Sequence, residues 1–142
     1  MRFRGENFFL SNFYPCKIEL QMPDGRLHSF LNAESAFQAH KSSDSSGIAK
    51  FEQMTGAQAK KAGRKVKVTD IAKWDSERIS VMQKVIKEKF NQNPELLQKL
   101  RNIKGVIYED NTWNDVFWGV CNGKGENHLG EILMDIRDHA EQ

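Results

Sequence analysis

Residues 111–137 read NTWNDVFWGVCNGKGENHLGEILMDIR, a glycine-rich loop that leads directly into the start of an amphipathic helix. The loop carries Trp113 and Trp118 together with Asp115. Large aromatic side chains in a loop need a dry surface, which either the protein core or a flat ligand can provide. The stretch therefore indicates a loop whose rings plug the core, the commoner role of aromatic residues, or a binding loop.

The composition is typical of one globular domain. The chain has 142 residues, of which 39% are hydrophobic and 28% are charged. A chain of this size can bury a core without disulfides or metals, and we predict a single domain over residues 1–142. The net charge of +2 is too small to indicate nucleic-acid binding by itself.

The sequence shows no metal-binding, secretory or membrane motif. Cys16 and Cys121 form no pairing motif, and the four histidines lack the spacing typical of zinc sites. The first residues, MRFRGEN, lack the apolar run of a signal peptide, and no segment has the ~20 apolar residues needed to span a bilayer. We expect reduced thiols, no metal, no cofactor, no membrane contact and a cytoplasmic location.

The N-terminal half predicts a hairpin followed by a helix. Apolar residues alternate over 16–20, and 27–30 can return as a second strand after the turn MPDG at 22–25. Asn32 can then cap a helix. One face of that helix carries an acid, an aromatic ring, an amide and a lysine, namely Glu34, Phe37, Gln38 and Lys41. Such a mixed stripe is either a solvated surface with Phe37 turned inward or the wall of a pocket.

Further helices are predicted where caps and apolar periodicity coincide. The first is a short helix over 48–54 after a polar loop at 42–47, and the second runs from the capping box TGAQ at 55–58 to Gly63. A long helix follows Trp74-Asp75-Ser76, and another begins at Asn93-Pro94. The last helix begins at Asn127 or a neighbour and buries Leu129, Ile132, Leu133 and Ile136. Residues 105–109 indicate a short buried strand. The predicted architecture is α+β, mostly helical, with a small sheet.

The basic residues Lys60, Lys61, Arg64, Lys65 and Lys67 form the basic cluster. It is either a solvated helix end or an anion site. Known nucleotide motifs do not fit the glycines near Gly123: no Lys-Ser/Thr pair follows them as in a P-loop, and His128 breaks the dinucleotide pattern. A nucleophile elbow is also absent from the sequence.

Several blocks of sequence resemble the NADAR family, the YbiA-like N-glycosidases. These blocks are FLSNFYP at 9–15, Glu34-x-x-Phe37-Gln38-x-x-Lys41, Gly63-Arg64, Trp74 with Arg78 and Met82, NDxxWG at 114–119, and GxGxNxLGxxLMxxR at 123–137. They follow the family's order over nearly the whole chain. One position departs from the pattern: the family usually has histidine directly after the motif glutamate, where this chain has Ser35.

The resemblance implies an α+β fold and metal-independent hydrolysis of N-glycosidic bonds. The activities attributed to the family are cleavage of phosphoribosylamino intermediates of riboflavin synthesis and removal of ADP-ribose from guanine bases. The implied partner is thus a small ribosyl phosphate or an ADP-ribosylated nucleotide or nucleic acid. The implied catalytic positions are Glu34, Trp74, Asp115 and Trp118. The candidate substrate-binding residues are Ser11, Asn12, Phe13, Gln38, Arg64, Asn114, Gly119 and Asn127.

These residue types suit the chemistry. Breaking a ribosyl C–N bond passes through an oxocarbenium-like state, which a carboxylate such as Glu34 or Asp115 stabilises. Tryptophan rings can stack on the departing base, and Arg64 can hold phosphate. Lys41 is a further candidate, either as a nucleophile that forms a Schiff base with the opened sugar or as a phosphate ligand. The alternatives are a non-catalytic ADP-ribose or nucleotide-binding module, and a nucleic-acid binder that uses the basic cluster.

Overall fold

Helices dominate the structure, a computed structural model that describes residues 1–140. In chain order the elements are a 3-10 helix Gly5–Leu10, β1 Ile18–Gln21, β2 Leu27–Phe30, α1 Ala33–Ala39, α2 Ser45–Ala49, α3 Gly56–Gly63, α4 Ile71–Gln92, α5 Pro94–Arg101, β3 Asp110–Asn111, β4 Val120–Cys121 and α6 His128–His139. This composition confirms the predicted α+β class. None of the helices within residues 1–140 has the length and apolar character needed to cross a membrane.

The chain divides into two compact units. The central unit is Asn12–Asn93, and the terminal unit combines Met1–Ser11 with Pro94–Gln142. The assignment of residues 1–142 to a single domain stays a prediction.

The hairpin of the central unit is antiparallel, as predicted. Ile18 pairs with Phe30 and Leu20 pairs with His28, so the alternating residues of β1 face the interior. The turn closes through the Gly25 N–H, which donates to the Met22 carbonyl at 2.8 Å. Gly25 has a φ of 80°, which glycine adopts without strain.

Side-chain caps fix the starts of α1 and α3. The Asn32 side chain accepts the N–H of Ser35 at 2.8 Å, which confirms the predicted cap. At α3 both arms of the capping box are present, because Thr55 accepts the N–H of Gln58 at 3.2 Å and Gln58 accepts that of Thr55 at 2.9 Å. Helix α1 packs against α3, α4 and the hairpin, so it lies at the centre of this unit.

Helices α4 and α2 begin earlier in the chain than predicted. Helix α4 begins at Ile71, so the prediction that Trp74 precedes it is wrong. Asp70 caps it by accepting the N–H of Lys73 at 3.0 Å, and its first turns are exposed and lack an apolar stripe. Helix α2 spans Ser45–Ala49 rather than 48–54, because Asp44 caps it from within the predicted loop. The predicted core face of α4 is confirmed by the buried side chains of Met82, Val85, Ile86 and Phe90.

The terminal unit is built on α5 and α6, which pack against each other. The predicted proline start of α5 and Asn127 start of α6 are confirmed. Leu129, Ile132 and Leu133 are buried as predicted, whereas Ile136 is half-buried. A buried strand over 105–109 is wrong: the parallel pair β3–β4 begins at Asp110, and only Ile107 of the earlier segment is buried.

Candidate active site

Glu34 lies in the first turn of α1 and is half-buried. Its N–H donates to the Asn12 carbonyl at 3.0 Å, and its Oε2 accepts from Gln38 Nε2 at 2.7 Å. Burial raises the pKa of the Glu34 carboxyl, against the opposing effects of the Gln38 amide and the charges of Lys60 and Lys41. The carboxyl therefore keeps a proton to higher pH than an ordinary glutamate does, as a general acid must.

Lys41 follows α1 and faces the end of α3. Its Nζ donates to the Gly63 carbonyl at 3.2 Å and lies 5.9 Å from the centre of the Trp74 ring. Burial lowers the pKa of the Lys41 ammonium, and nearby Arg64 acts in the same direction, while Glu34 opposes them. The neutral amine, which is the nucleophilic form, is thereby more accessible than in a solvated lysine.

Trp74 reaches this site from the first turn of α4. Its ring packs against Phe37 of α1, with 5.4 Å between ring centres and an angle of 50°. Trp74 remains half-buried, so part of its ring faces outward. The mixed face of α1 is therefore neither a simple solvated stripe nor a uniform core face: Phe37 and Gln38 are buried beside Glu34 and Lys41.

Asn12 and Phe13 enter from the segment before the hairpin. Asn12 Nδ2 lies 3.6 Å from the Met82 sulfur, and its buried Oδ1 accepts no hydrogen bond from residues 1–140. Phe13 covers the first residue of α3, since a Cβ added to Gly56 would lie 2.6 Å from its ring. The contact with Gly56 gives Phe13 a packing role, and its predicted substrate contact stays a prediction.

The charges of the basic cluster differ in their relation to the site. Lys60 acts on Glu34 and Arg64 acts on Lys41, so both belong to the electrostatic environment of the candidate catalytic groups. Lys60 was predicted only as one member of the basic cluster. The spacing offered a signal, because Lys60 precedes Arg64 by one helical turn and such residues share a face.

Ser35 occupies the position where the resemblance implies histidine. Its hydroxyl donates to Asn32 Oδ1 at 3.0 Å and to the Met54 carbonyl at 2.9 Å, and the residue is fully buried. The side chain at this position thus serves the helix cap and the interior of the central unit.

In the terminal unit, the Asp115 side chain accepts hydrogen bonds from the backbone of the loop that contains it. Its Oδ1 accepts the N–H groups of Phe117 at 3.1 Å and Trp118 at 2.9 Å. Asn111 holds the same residue from the other side, accepting the Asp115 N–H at 3.0 Å and donating to its carbonyl at 2.9 Å. These bonds give Asp115 a structural role in the turn. Its predicted catalytic role stays a prediction.

The rings of this loop form a cluster. Phe117 contacts Trp118 edge to face at 4.7 Å and His128 at 4.5 Å between ring centres. Trp118 is half-buried, whereas Trp113 is 54% exposed. The loop is therefore partly packed, and the predicted stacking of a base on Trp118 stays a prediction.

The remaining candidates of the terminal unit lie in tight backbone positions. Asn127 occupies the N-cap position of α6 with a φ of 58° and no side-chain cap hydrogen bond, and its Nδ2 donates to the Ile107 carbonyl at 3.0 Å. Gly119 leaves no room for a side chain, since a Cβ would lie 2.6 Å from the Glu109 carbonyl. Asn114 is exposed with a φ of 66°, and Ser11 ends the 3-10 helix. Substrate contacts of these residues stay predictions.

Metal-ligating side chains are not grouped in the described chain. Among residues 1–140, no set of three or more histidine, cysteine, aspartate or glutamate side chains could hold a metal ion.

Several known proteins are similar to this chain in sequence and in fold. The chain is 30% identical over 138 residues to a riboflavin biosynthesis protein of Vibrio vulnificus, covering 94% of this chain and 36% of that protein. It is also 30% identical over 148 residues to the riboflavin biosynthesis protein PYRR of Zea mays, and the match covers 89% of this chain and 22% of that protein. It therefore spans well under half the length of these two relatives.

The N-glycosidase YbiA of Escherichia coli is 31% identical over 132 residues, with 90% of this chain and 78% of that protein covered. The NMR structure of the E. coli protein YbiA matches with a TM-score of 0.79 at 29% identity, covering 97% of this chain and 82% of that one. The NADAR domain model matches residues 2–140. Sequence and fold agree: the chain belongs to the NADAR domain family.

Proposed function

We propose that this protein is an N-glycosidase, a hydrolase that cleaves the N-glycosidic bond of a ribosyl adduct. One observation carries the proposal: Glu34 of α1 has a carboxyl of raised pKa, and Lys41, in the turn after α1, is an electrostatic neighbour with an ammonium of lowered pKa. Opposite shifts in neighbouring titratable groups are typical of acid–base chemistry. The names of the relatives support the same reaction class, since several are called N-glycosidase YbiA.

The substrate is a ribosyl phosphate linked through nitrogen to a flat base. We propose two forms: ADP-ribose on guanine and a phosphoribosylamino pyrimidine of riboflavin synthesis. The charges of Lys60 and Arg64 suit a phosphate, and the outward part of the Trp74 ring suits a base. The relatives named as riboflavin biosynthesis proteins support the second form.

In the direct route, Glu34 acts as a general acid. Its proton passes to the leaving nitrogen while the C1′–N bond breaks, and the resulting carboxylate stabilises the positive charge on the sugar. A water molecule then bonds to C1′ and returns a proton to Glu34. The products are the free base and the free sugar.

In the covalent route, the Lys41 amine attacks C1′ of the ring-opened sugar. The N–C1′ bond forms, the base departs with a proton from Glu34, and a Schiff base remains on Lys41. Addition of water to this protonated imine releases the sugar aldehyde, restores the neutral amine and returns a proton to Glu34. Borohydride reduces the imine and would leave a stable adduct on Lys41.

A turnover assay tests the proposal. Wild type would be incubated with a guanine-ADP-ribosylated oligonucleotide, an ADP-ribosyl nucleoside and a phosphoribosylamino pyrimidine, with released base and sugar followed by mass spectrometry. Release from one substrate class supports the N-glycosidase and identifies its substrate. Tight binding of all of them without release contradicts it and supports the alternative, a nucleotide-binding module.

A further inference from the structure

The last residue of α3, Gly63, lies against two side chains of the candidate site, Gln38 and Lys41. Its carbonyl accepts from Lys41 Nζ at 3.2 Å. A methyl group on its Cα would overlap Gln38 Oε1 and lie 3.0 Å from Gln38 Cγ. Gly63 does not have the positive φ that glycine alone adopts freely. The backbone therefore does not require glycine here, but the space beside Gln38 does.

Gln38 has a buried amide, and one of its two N–H groups donates a hydrogen bond to Glu34. Its exposed fraction is 8%, and its Nε2 donates to Glu34 Oε2 at 2.7 Å. Its Oε1 is buried without a hydrogen-bond partner among residues 1–140. Exchanging the amide atoms would place two acceptor oxygens against each other when Glu34 is ionised, so the orientation follows from the carboxylate.

We propose that Gln38 and Gly63 are a positioning pair: the missing side chain at Gly63 admits the Gln38 amide, and this amide orients the Glu34 carboxyl. The proposal rests on the proposed function, in which Glu34 is catalytic. It assigns Gln38 a role in addition to the substrate contact that the resemblance implies, because one N–H of its amide is held by the Glu34 carboxyl. It also gives Gly63 a role beyond ending a helix.

The pair has an effect that can be measured without substrate. The Gln38 amide stabilises the ionised form of Glu34 and so lowers its pKa relative to a site without the amide. Loss of the amide should raise the pKa of Glu34 further. In Gln38→Met, which keeps chain length but has no donor, a ¹³C NMR titration of the Glu34 carboxyl should show a higher midpoint than in wild type. Gln83→Met, the same change at an exposed site of α4, should leave it unchanged.

A double-mutant cycle tests the coupling. Gly63→Ala should displace Gln38, raise the Glu34 midpoint and lower kcat by about tenfold or more, because small misplacements of catalytic groups are costly. Gln38→Ala should have a similar effect. In the Gln38→Ala background the added methyl has room, so Gly63→Ala should cause no further loss. Thermal unfolding of each variant separates these effects from loss of folding.

The outcomes are distinct. If the titration midpoint of the Glu34 carboxyl is the same as in wild type in both Gln38→Met and Gly63→Ala, the proposed positioning pair is overturned. This holds even if the protein proves to be an N-glycosidase. The proposal is also overturned if Gly63→Ala lowers kcat equally in the wild-type and Gln38→Ala backgrounds, because Gly63 would then act without Gln38. If wild type cleaves none of the substrates, the proposed function fails, while the NMR titration still decides whether the pair exists.

Discussion

The Glu34 carboxyl belongs to a half-buried side chain and has four neighbours that stabilise its charged form. Burial raises its pKa, while Gln38, Lys60, Lys41 and the Asn12 side chain lower it. A group in this balance can carry a proton and yet release it during a reaction. This property distinguishes Glu34 from a carboxylate that only holds a helix together.

Glu34→Gln should abolish turnover and largely retain substrate binding. The amide keeps the shape of the side chain but can neither give up a proton nor stabilise a positive sugar, so we expect kcat to fall by about 10²- to 10⁴-fold. Single-turnover kinetics and calorimetric titration would measure the two quantities. Glu77→Gln, at an exposed site of α4, is the matched control. Full activity of Glu34→Gln would make Glu34 a structural residue.

The pH dependence of kcat should distinguish the two routes. Burial raises the pKa of Glu34, and the direct route needs its protonated form, so the rate should fall as pH rises through that pKa. The covalent route needs the neutral Lys41 amine as well as the Glu34 proton. Because burial lowers the pKa of Lys41, this route should add a limb in which the rate rises as pH rises through that pKa, whereas the direct route has no such limb. Borohydride trapping during turnover provides the second readout. An adduct that persists in Lys41→Arg would exclude Lys41 as the nucleophile.

Local chemical signals explain which elements could be predicted from sequence. Caps at Asn32 and Thr55 and the proline start of α5 depend on neighbouring residues, and all are confirmed. The start of α4 could not be read from apolar periodicity, because Ile71 and the following turn are exposed. The apolar run at 105–109 was misleading for a related reason: Val106 is 64% exposed, and only Ile107 reaches the core.

His28 of β2 links the hairpin turn to Glu52, which lies just after α2. Its Nε2 lies 2.6 Å from Asp24 Oδ2 and its Nδ1 lies 2.5 Å from Glu52 Oε1, while the Ser45 hydroxyl also donates to Asp24 at 2.8 Å. Burial opposes the charged ring, but hydrogen bonds and negative charge from both carboxylates raise the pKa of His28 above its ordinary value. Only the protonated ring can donate to both.

This contact predicts a pH-dependent stability. The folded-state pKa of His28 is raised, so its contribution is complete below the unfolded pKa of about 6.5 and is lost as pH rises through the folded value. His28→Gln should therefore lower the melting temperature more at about pH 6 than at about pH 9. Thermal unfolding at both values would measure this, with the exposed His139→Gln as control. An equal decrease in melting temperature at both pH values would contradict a charged His28.

At the scale of the whole molecule, the candidate site was only partly accessible from sequence. Helical spacing predicts Glu34, Gln38 and Lys41 on one helix face. The hydrogen bond between Glu34 and Gln38 confirms this for those two residues, whereas α1 ends at Ala39 and Lys41 lies in the turn that follows it. The contacts of Lys41 with Gly63 and Trp74 depend on how α1 packs against α3 and α4. Such long-range packing has no local sequence signal, so these contacts could not be predicted.

The carrier of the substrate should be visible in the salt dependence of kcat/KM. If the base lies in a nucleic acid, the basic cluster can guide phosphates, and kcat/KM should fall steeply as salt increases. Lys65→Gln with Lys67→Gln should then reduce the log–log slope by roughly 1.4 for a single-stranded oligonucleotide and leave a free nucleoside substrate unaffected. Lys87→Gln, on the exposed side of α4, is the control. Identical slopes for both substrates would indicate that the cluster does not contact the carrier.

The missing methyl group at Gly63 also bears on how the sequence could diversify. Alanine is favoured over glycine within helices by about 1 kcal/mol, and somewhat less at a last residue, so selection for stability alone would favour replacement here. Selection for catalysis would oppose it, because the methyl would overlap the Gln38 amide. In a randomised library, position 63 should tolerate small residues under a folding screen and return to glycine under an activity screen, a local trade-off between robustness and turnover.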